Sequence, residues 1–347
     1  MKQIYVCLLT ALGLCMGQAC AQRDGSHILG SDGERFSLVE GWGVDNLEHV
    51  YVNNCNGLVI DGEQRLFMLV DDPRNNVVIF DRQGTLMKTW TLDLKSPHGL
   101  SILREGDREV LFITENGGTG IVLKTTLDGE VLMEVPYPGH TDHYASRDEY
   151  RPSDVLNAPN GDFYVLDGYG KSYIIQYNKD GEFVRIFGGD IGEGDAQLAK
   201  YGPHGGVVDT RDPENPVLVI ACSDQNHLKR FTLEGEYIDT IKMPGANPRE
   251  IFIFQDKLYI PHLGSDWPAQ RDAPGYVSVL DKDYKVISNI GGTSPHYKDG
   301  TLERMTHDGD TFIHPHAVTM DVEGNLYVAQ WNSQKTWPLK FLRVHGE

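Results

Sequence analysis

The sequence predicts an all-β fold, a six-bladed β-propeller. Two observations predict it. One unit of short apolar segments and tight turns occurs six times along the chain, and a Pro-His pair opens three of those units, at Pro97-His98, Pro203-His204 and Pro315-His316. Repeats of about 40 to 55 residues with four short strands each are typical of propeller blades. The alternation of apolar residues with period 2 excludes helical solenoids.

Each unit contains a second and a third strand rich in the β-branched and aromatic residues that suit a half-buried pleated surface. We expect the second strands at 66–70, 110–114, 163–166, 217–221, 258–260 and 326–329. We expect the third strands at 77–80, 121–124, 173–177, 228–231, 276–280 and 339–344. A turn sequence such as Asp81-Arg82-Gln83-Gly84 follows each of the first five third strands, which predicts a fourth, outer strand in those units.

The sixth unit ends before its fourth strand. The segment 36–42 is expected to take that place and to close the ring by pairing the two ends of the chain. Closure of this kind protects the sheet edges that an open array of blades would expose. The propeller domain is then predicted to span residues 22–347 as a single unit.

Residues 1–21 have the pattern of a signal peptide. Lys2 precedes an apolar run shorter than the roughly 20 residues of a membrane span, and Ala19-Cys20-Ala21 fits a cleavage site. We therefore expect a secreted or periplasmic protein without a membrane span. The alternative is an outer-surface lipoprotein with a lipid anchor at Cys20.

The net charge of −19 and the pI near 5.0 disfavour nucleic acid as a partner, because a phosphate backbone would be repelled. After cleavage only Cys55 and Cys222 remain. They lie in different units next to apolar runs, which predicts buried free thiols rather than a disulfide. We expect a monomer.

Three histidines occupy the same position in alternate units, immediately before a first strand. In a closed ring they would lie at roughly threefold positions around the axis, a suitable geometry for one metal ion. Three imidazole ligands with one open position are typical of catalytic zinc sites. The alternative is that each histidine hydrogen-bonds a neighbouring blade. In chain order, the six aligned positions are Asn56, His98, Ser153, His204, Arg249 and His316.

Blade topology places the starts of first strands and the turns between second and third strands on one face. The long irregular segments 137–151, 188–201, 262–275 and 291–313 all fall on this face. Elaborated loops on a rigid scaffold are where function is expected.

Several motifs accompany the Pro-His pairs: Ser96-Pro97-His98-Gly99-Leu100-Ser101-Ile102, Asp167-Gly168-Tyr169 with Ser172, and Ser223-Asp224-Gln225-Asn226. With them the chain resembles peptidyl-α-hydroxyglycine α-amidating lyase and its relatives among the NHL-repeat propellers. The resemblance covers nearly the whole chain as a repeat pattern. It implies that the three histidines bind catalytic zinc and that Tyr169 is the base. A phenol with its ordinary pKa near ~10 needs a nearby cation for that task, and a packing tyrosine is the alternative.

The chain departs from the family pattern at several positions. The family's carboxylate-binding arginine falls where this chain has Asp71-Asp72-Pro73, and Arg74 is nearby but out of register. His314 replaces a methionine. The resemblance also implies a structural calcium ion, although Ala317 replaces the aspartate that the family links to it. Gly170 replaces a cysteine, so the family disulfide is absent there. The resemblance thus implies a retained scaffold and metal site with altered substrate recognition.

Two further residues are candidates for catalysis. Arg249 is the only cation at the six aligned positions, and it is expected to bind a substrate carboxylate or to pair with Asp154 or Glu250. His314 lies two residues before His316, on the same side if strand alternation holds. It would then be a further metal ligand, an acid or base beside the ion, or a hydrogen-bonding channel residue.

Four residues are expected to line a substrate pocket, with Trp331 as a stacking surface for a sugar ring or an aromatic group. They are Arg74, His262, Trp331 and Asn56. The expected function is a metal-dependent lyase or hydrolase that acts on a small polar substrate, such as an α-hydroxyglycine, a carbohydrate or a uronic acid. The alternative is a non-enzymatic propeller that binds a protein or a carbohydrate, with any metal structural.

Overall fold

A computed structural model describes residues 28–345, apart from 32, 46, 119, 191–193, 200, 246, 265–266 and 334–336. The predicted signal peptide, including Cys20, lies outside the described residues.

Six antiparallel sheets follow one another along the chain and form the six blades of a propeller. Two N-terminal strands come first, β1 Ile28–Leu29 and β2 Phe36–Val39. Blades one to three contain β3 Cys55–Ile60, β4 Leu66–Val70, β5 Val77–Phe80, β6 Leu86–Trp90, β7 Pro97–Glu105, β8 Arg108–Glu115, β9 Ile121–Thr126, β10 Val131–Glu134, β11 Asp154–Asn157, β12 Phe163–Leu166, β13 Tyr173–Tyr177 and β14 Phe183–Gly188.

The second half of the chain repeats this arrangement. Blades four and five contain β15 Pro203–Asp209, β16 Val217–Cys222, β17 His227–Thr232, β18 Tyr237–Lys242, β19 Phe252–Phe254, β20 Lys257–His262, β21 Tyr276–Leu280 and β22 Val286–Ile290. A small hairpin, β23 Tyr297–Lys298 and β24 Thr301–Leu302, precedes β25 Pro315–Met320, β26 Leu326–Gln330 and β27 Leu339–Arg343 of blade six. The predicted second and third strands are thus confirmed, with boundaries that differ by a few residues.

Helical structure is confined, among the described residues, to two single 3-10 turns, Arg147–Glu149 and Ser223–Gln225. In this part of the chain there is accordingly no helix with the length and apolar character needed to span a bilayer.

The sixth blade is closed by the N-terminal strands, as predicted. Its strand order is β1-β2-β27-β26-β25, and the pairing of β2 with β27 places Phe36 opposite Arg343. The closing strand ends at Val39 rather than at Trp42, because Gly41 and Gly43 take left-handed φ values of 72° and 75° and turn the chain away from the sheet.

Trp42 fills the junction between blades six and one. Its indole packs on Tyr327, with ring centroids 5.2 Å apart, and on Phe80 at 5.6 Å. The other inter-blade junctions also hold apolar clusters, which form the core of the fold. Cys55 and Cys222 are buried in this core and free, as predicted.

Candidate metal centre and channel pocket

Each of the three predicted metal ligands lies at an irregularity at the start of an innermost strand. The pairing register of β7 shifts between Pro97 and Leu100, that of β15 between Pro203 and Gly205, and that of β25 between Pro315 and Ala317. A bulge of this kind bends a strand and changes the direction of its side chains. The irregularity therefore accounts for the placement of His98, His204 and His316 in the channel rather than within a blade.

The three imidazoles converge on one point. Their ring centroids are 4.7 to 4.9 Å apart, and one ring nitrogen from each lies within 4.8 Å of the others. All three residues are buried. The sequence-based prediction that these histidines come together is confirmed.

The backbone of the following blade holds each ring. Nδ1 of His98 lies 2.8 Å from the carbonyl oxygen of Ser153, and Nδ1 of His316 lies 2.7 Å from that of Asn56. His204 makes the equivalent hydrogen bond to the backbone of Arg249. A carbonyl can only accept, so Nδ1 carries the proton and Nε2 presents a lone pair. Metal-binding histidines usually have this second hydrogen bond to a carbonyl or carboxylate.

The glycine after two of the histidines makes this contact sterically feasible. A Cβ on Gly99 would lie 2.5 Å from the Ser153 carbonyl oxygen, and a Cβ on Gly205 would lie 2.6 Å from that of Arg249. Only a residue without a side chain lets the neighbouring backbone approach so closely. This explains the Pro-His-Gly sequence in physical terms.

Tyr169 completes the centre on the long-loop face. Its hydroxyl oxygen lies 3.0 Å from Nε2 of His98 and 3.1 Å from Nε2 of His204. The loop is organised by Asp167, whose carboxylate accepts hydrogen bonds from the backbone N–H groups of Arg151 at 2.6 Å and Lys171 at 2.7 Å. The predicted position of Tyr169 beside the histidines is confirmed, while its role as a base stays a prediction.

The protonation state of the three imidazoles suits metal binding. Burial, together with the charge of Arg249, lowers the pKa of His98 to about 4 and holds the pKa values of His204 and His316 well below the usual range, so the three rings are neutral. Tyr169 has one hydroxyl proton for the two acceptor nitrogens that face it. The cluster thus has the donor set of a divalent-metal site. Burial raises the pKa of Tyr169, and Arg249 partly offsets this effect.

A cavity of about 500 Å³ opens above the histidines. Tyr169, Asn56, Arg249 and Trp331 all line it, in agreement with their predicted positions. Ser153 lies deeper, where its hydroxyl donates to the Pro203 carbonyl oxygen at 2.8 Å. The cavity volume lies in the range of small-molecule sites.

His314 does not join the metal cluster. Its ring nitrogens face backbone carbonyl oxygens, Nδ1 those of Trp331 and Asn332 and Nε2 that of Arg271. The expectation from strand alternation is wrong because His314 has a left-handed φ of 51° and precedes the irregular start of β25. It instead contacts the loop that carries Trp267, and the ring centroids of His314 and Trp267 are 5.2 Å apart.

Arg74 and His262 also lie away from the cavity. Arg74 forms an ion pair with Asp72 at 2.6 Å and covers the ring of Tyr51. His262 is fully buried within blade five, and its Nε2 lies 2.8 Å from the hydroxyl of Ser278. The structure therefore corrects their predicted placement in a substrate pocket.

Two carboxyl groups lie on the other side of the histidines, which the sequence reasoning named only as partners for Arg249. Asp154 and Glu250 border both a cavity of about 10 Å³ beneath the imidazoles and the lower channel of about 280 Å³. Burial raises both pKa values, and repulsion from Asp154 raises that of Glu250 further. Glu250 keeps part of its surface open to the lower channel, but its Oε2 is buried without a hydrogen-bond partner. Ala317 offers no side-chain oxygen, and structural calcium stays a prediction.

Trp267 and Arg271 line the cavity but were not predicted individually. Both lie in the segment 262–275, which the sequence marked as one of the elaborated loops on the histidine face. The length of that loop was the available signal.

The fold and the centre define a class: a six-bladed β-propeller with three channel histidines suited to a divalent metal. No protein-family model matches the chain. Among curated proteins, peptidyl-glycine alpha-amidating monooxygenase A of Xenopus laevis is 24% identical over 304 residues, or 85% of this chain and 29% of that protein. The chain is thus a propeller distantly related to that monooxygenase, in agreement with the resemblance read from its motifs, and it spans about three tenths of the length of the curated relatives it matches.

Solved structures support the fold. A streptogramin B lyase superposes with a TM-score of 0.56 at 16% identity, over 84% of this chain and 94% of that chain. A chain of a nidogen/laminin complex superposes with a TM-score of 0.50 at 16% identity, over 80% of this chain and 96% of that chain. The same fold therefore occurs in an enzyme and in a protein–protein complex, so function must be argued from the site.

Proposed function

We propose that the protein is a secreted, metal-dependent lyase or hydrolase that acts on a small polar substrate. The observation that carries the proposal is the convergence of three neutral imidazoles, within 4.8 Å of one another, on a point that a tyrosine hydroxyl also faces. His98, His204 and His316 would hold zinc or another divalent ion. Such an ion polarises a substrate oxygen and lowers the pKa of a nearby phenol.

The chain's own residues supply the remaining chemistry. The Nδ1 hydrogen bonds fix each imidazole in the tautomer that leaves Nε2 free. Tyr169 is placed to remove a proton from a substrate hydroxyl or from an attacking water, as a general base. In a lyase reaction, the electron pair left by that proton forms the new double bond, while the leaving group departs with its own bonding pair and takes up a proton. Arg249 would bind an anionic part of the substrate and hold it against this base.

The sequence similarity to a peptidyl-glycine alpha-amidating monooxygenase, together with the likeness in fold to a streptogramin B lyase, supports an enzyme. The likeness to a chain of the nidogen/laminin complex favours the second candidate, a propeller that binds a protein or a carbohydrate and whose metal is structural.

Metal analysis separates these candidates when it is combined with turnover. The purified protein should contain about one divalent ion per chain, and His204→Ala should remove most of it together with activity. His296→Ala, at an exposed histidine outside the channel, should change neither. If His204→Ala removes the metal but the wild-type protein shows no measurable turnover, the binding protein is favoured. A wild-type protein that binds no metal would contradict the proposal.

A further inference from the structure

Within the described part of the chain, the almost entirely buried charge of Arg249 has no hydrogen-bond or ion-pair partner. Arg249 is 6% exposed, it lines the cavity above the histidines, and its Nε has no hydrogen-bond partner among the described residues. The Asp224 carboxylate contributes favourable electrostatics, but neither it nor Tyr169 forms a hydrogen bond or ion pair with the guanidinium. An arginine keeps its charge when buried, and an unpaired buried charge is strongly unfavourable. An anionic ligand in the cavity would supply the missing acceptor.

Asn56 contributes a hydrogen-bond acceptor to the same cavity, and among the described residues this acceptor has no donor. Its Nδ2 donates to the Pro97 carbonyl oxygen at 2.7 Å, while its Oδ1 is buried without a partner in the described part of the chain. The residue is 6% exposed. A ligand that satisfies both Arg249 and Asn56 therefore needs an anionic acceptor and a hydroxyl or N–H donor.

Two tryptophans form an aromatic wall of the cavity that also contains Arg249 and Asn56. Trp267 and Trp331 both line the cavity, with ring centroids 5.7 Å apart and an interplanar angle of 81°. His314 fixes the wall, because its ring nitrogens contact backbone carbonyls on both loops. Indole surfaces of this kind present an apolar face to the flat side of a ring.

The other charged residues of the cavity have both signs. Asp71 and Asp224 line it together with Lys95 and Arg271, and these two cations are exposed to solvent, whereas Arg249 is the buried one. A monoanionic carboxylate needs only the one buried arginine. The same carboxylates are acceptors for hydroxyl groups and would be desolvated without compensation by a purely apolar ligand.

We propose that the substrate is an acidic sugar, in which Arg249 binds the carboxylate of a uronate residue, Asn56 accepts from a hydroxyl, and the sugar ring packs on Trp331. This inference rests on the proposed function for its reaction, but the binding itself does not depend on turnover.

Binding of digalacturonate and of neutral digalactose to the full metal-loaded protein, followed by calorimetry, tests the inference. Digalacturonate should bind at least tenfold more tightly than the neutral disaccharide. Arg249→Gln should abolish that difference while the metal content stays at the wild-type level, and Arg249→Lys should fall between the two. Trp331→Leu should weaken both ligands by a similar factor. Arg104→Gln, at an arginine outside the cavity, should bind as wild type does.

Equal binding of the two disaccharides, or equal loss of both in Arg249→Gln, would overturn the acidic-sugar assignment. A peptide-type acid tests the alternative directly. If N-acetyl-α-hydroxyglycine binds with dependence on Arg249 but not on Trp331, and digalacturonate does not bind, the sugar assignment fails while the proposed lyase function stands. If digalacturonate binds as expected but no divalent ion is found, the proposed function fails while the ligand class stands.

Discussion

The Ser153 carbonyl oxygen accepts a hydrogen bond from Nδ1 of His98 across the boundary between blades two and three, at 2.8 Å. The same relationship recurs at the other two channel histidines. The tautomer and orientation of each imidazole are thus set by the blade that follows it. Metal affinity and blade packing are therefore coupled, because a shift of one blade moves the acceptor away from the ring.

Gly99→Ala tests this coupling. The added Cβ would lie 2.5 Å from the Ser153 carbonyl oxygen and must push the two blades apart. We expect a loss of about 1–3 kcal/mol in the free energy of unfolding, as for other overpacked sites, and a metal affinity lower by roughly 10 to 100-fold. Denaturant unfolding and competitive metal titration measure the two effects.

The matched control is Gly118→Ala, because a Cβ built at Gly118 has no atom of the described residues within 4 Å, its chain neighbours left aside. Stability there should change by less than about 1 kcal/mol, with normal metal affinity. Wild-type affinity in Gly99→Ala would show that the carbonyl contact does not position His98.

Tyr169→Phe tests the base. The hydroxyl lies 3.0 Å and 3.1 Å from two Nε2 atoms, so its removal should leave the metal content intact and lower kcat by roughly 10² to 10⁴-fold. Measurement at saturating substrate is needed, since a change confined to KM would indicate binding rather than proton transfer. Tyr201→Phe, at the second phenol of the cavity, should retain most of kcat, and an unchanged kcat in Tyr169→Phe would exclude this tyrosine as the base.

The sequence predicted the blades well because each strand carries its own local pattern. Segments such as 66–70 and 173–177 combine β-branched and aromatic residues with a turn sequence nearby, and the observed strands have the same bounds. The convergence of the three histidines was also predictable, since equivalent positions in alternate units of a closed ring must face a common axis.

The sequence-based predictions were wrong or incomplete where the local pattern does not determine the direction of a side chain or the path of a loop. Strand alternation placed His314 beside His316. The observed orientation differs because His314 itself has a left-handed φ and because β25 starts irregularly after it. His262 belongs to a regular strand, and its ring packs on Tyr276 within the blade. Trp267 lies on a long loop, and the path of that loop depends on tertiary contacts that a sequence pattern does not predict.

Ring closure should contribute strongly to stability. Phe36 in the closing strand is fully buried, and Phe36→Ala is expected to lower the free energy of unfolding by about 3–5 kcal/mol. Leu38, in the same strand, is 38% exposed, so Leu38→Ala should cost less than about 1 kcal/mol. Denaturant titration of both variants gives the comparison. Similar values for the two would mean that burial of the Phe36 side chain contributes little to stability.

The Asp154 and Glu250 pair predicts an unusual dependence of stability on pH. Burial raises both pKa values, and repulsion from Asp154 adds to the effect at Glu250. The folded state then binds protons more tightly than the unfolded chain above the ordinary carboxyl pKa of about 4. Stability from this pair is therefore greatest at low pH, and it is lost as the pH rises through the raised values.

Glu250→Gln removes one charge and the repulsion on Asp154, so the variant should lose less stability than the wild type between pH 5 and pH 8. The difference in the free energy of unfolding between Glu250→Gln and the wild type should change by at least about 1 kcal/mol from pH 5 to pH 8. This is the equivalent of a pKa displacement of roughly one unit. The buried histidines, whose pKa values are lowered, give the opposite trend in both proteins and cancel in the comparison. Thermal unfolding at constant metal concentration measures the change, with Asp283→Asn at an exposed carboxylate as the control. Parallel pH profiles for Glu250→Gln and the wild type would mean that Glu250 does not titrate with a raised pKa in the folded channel.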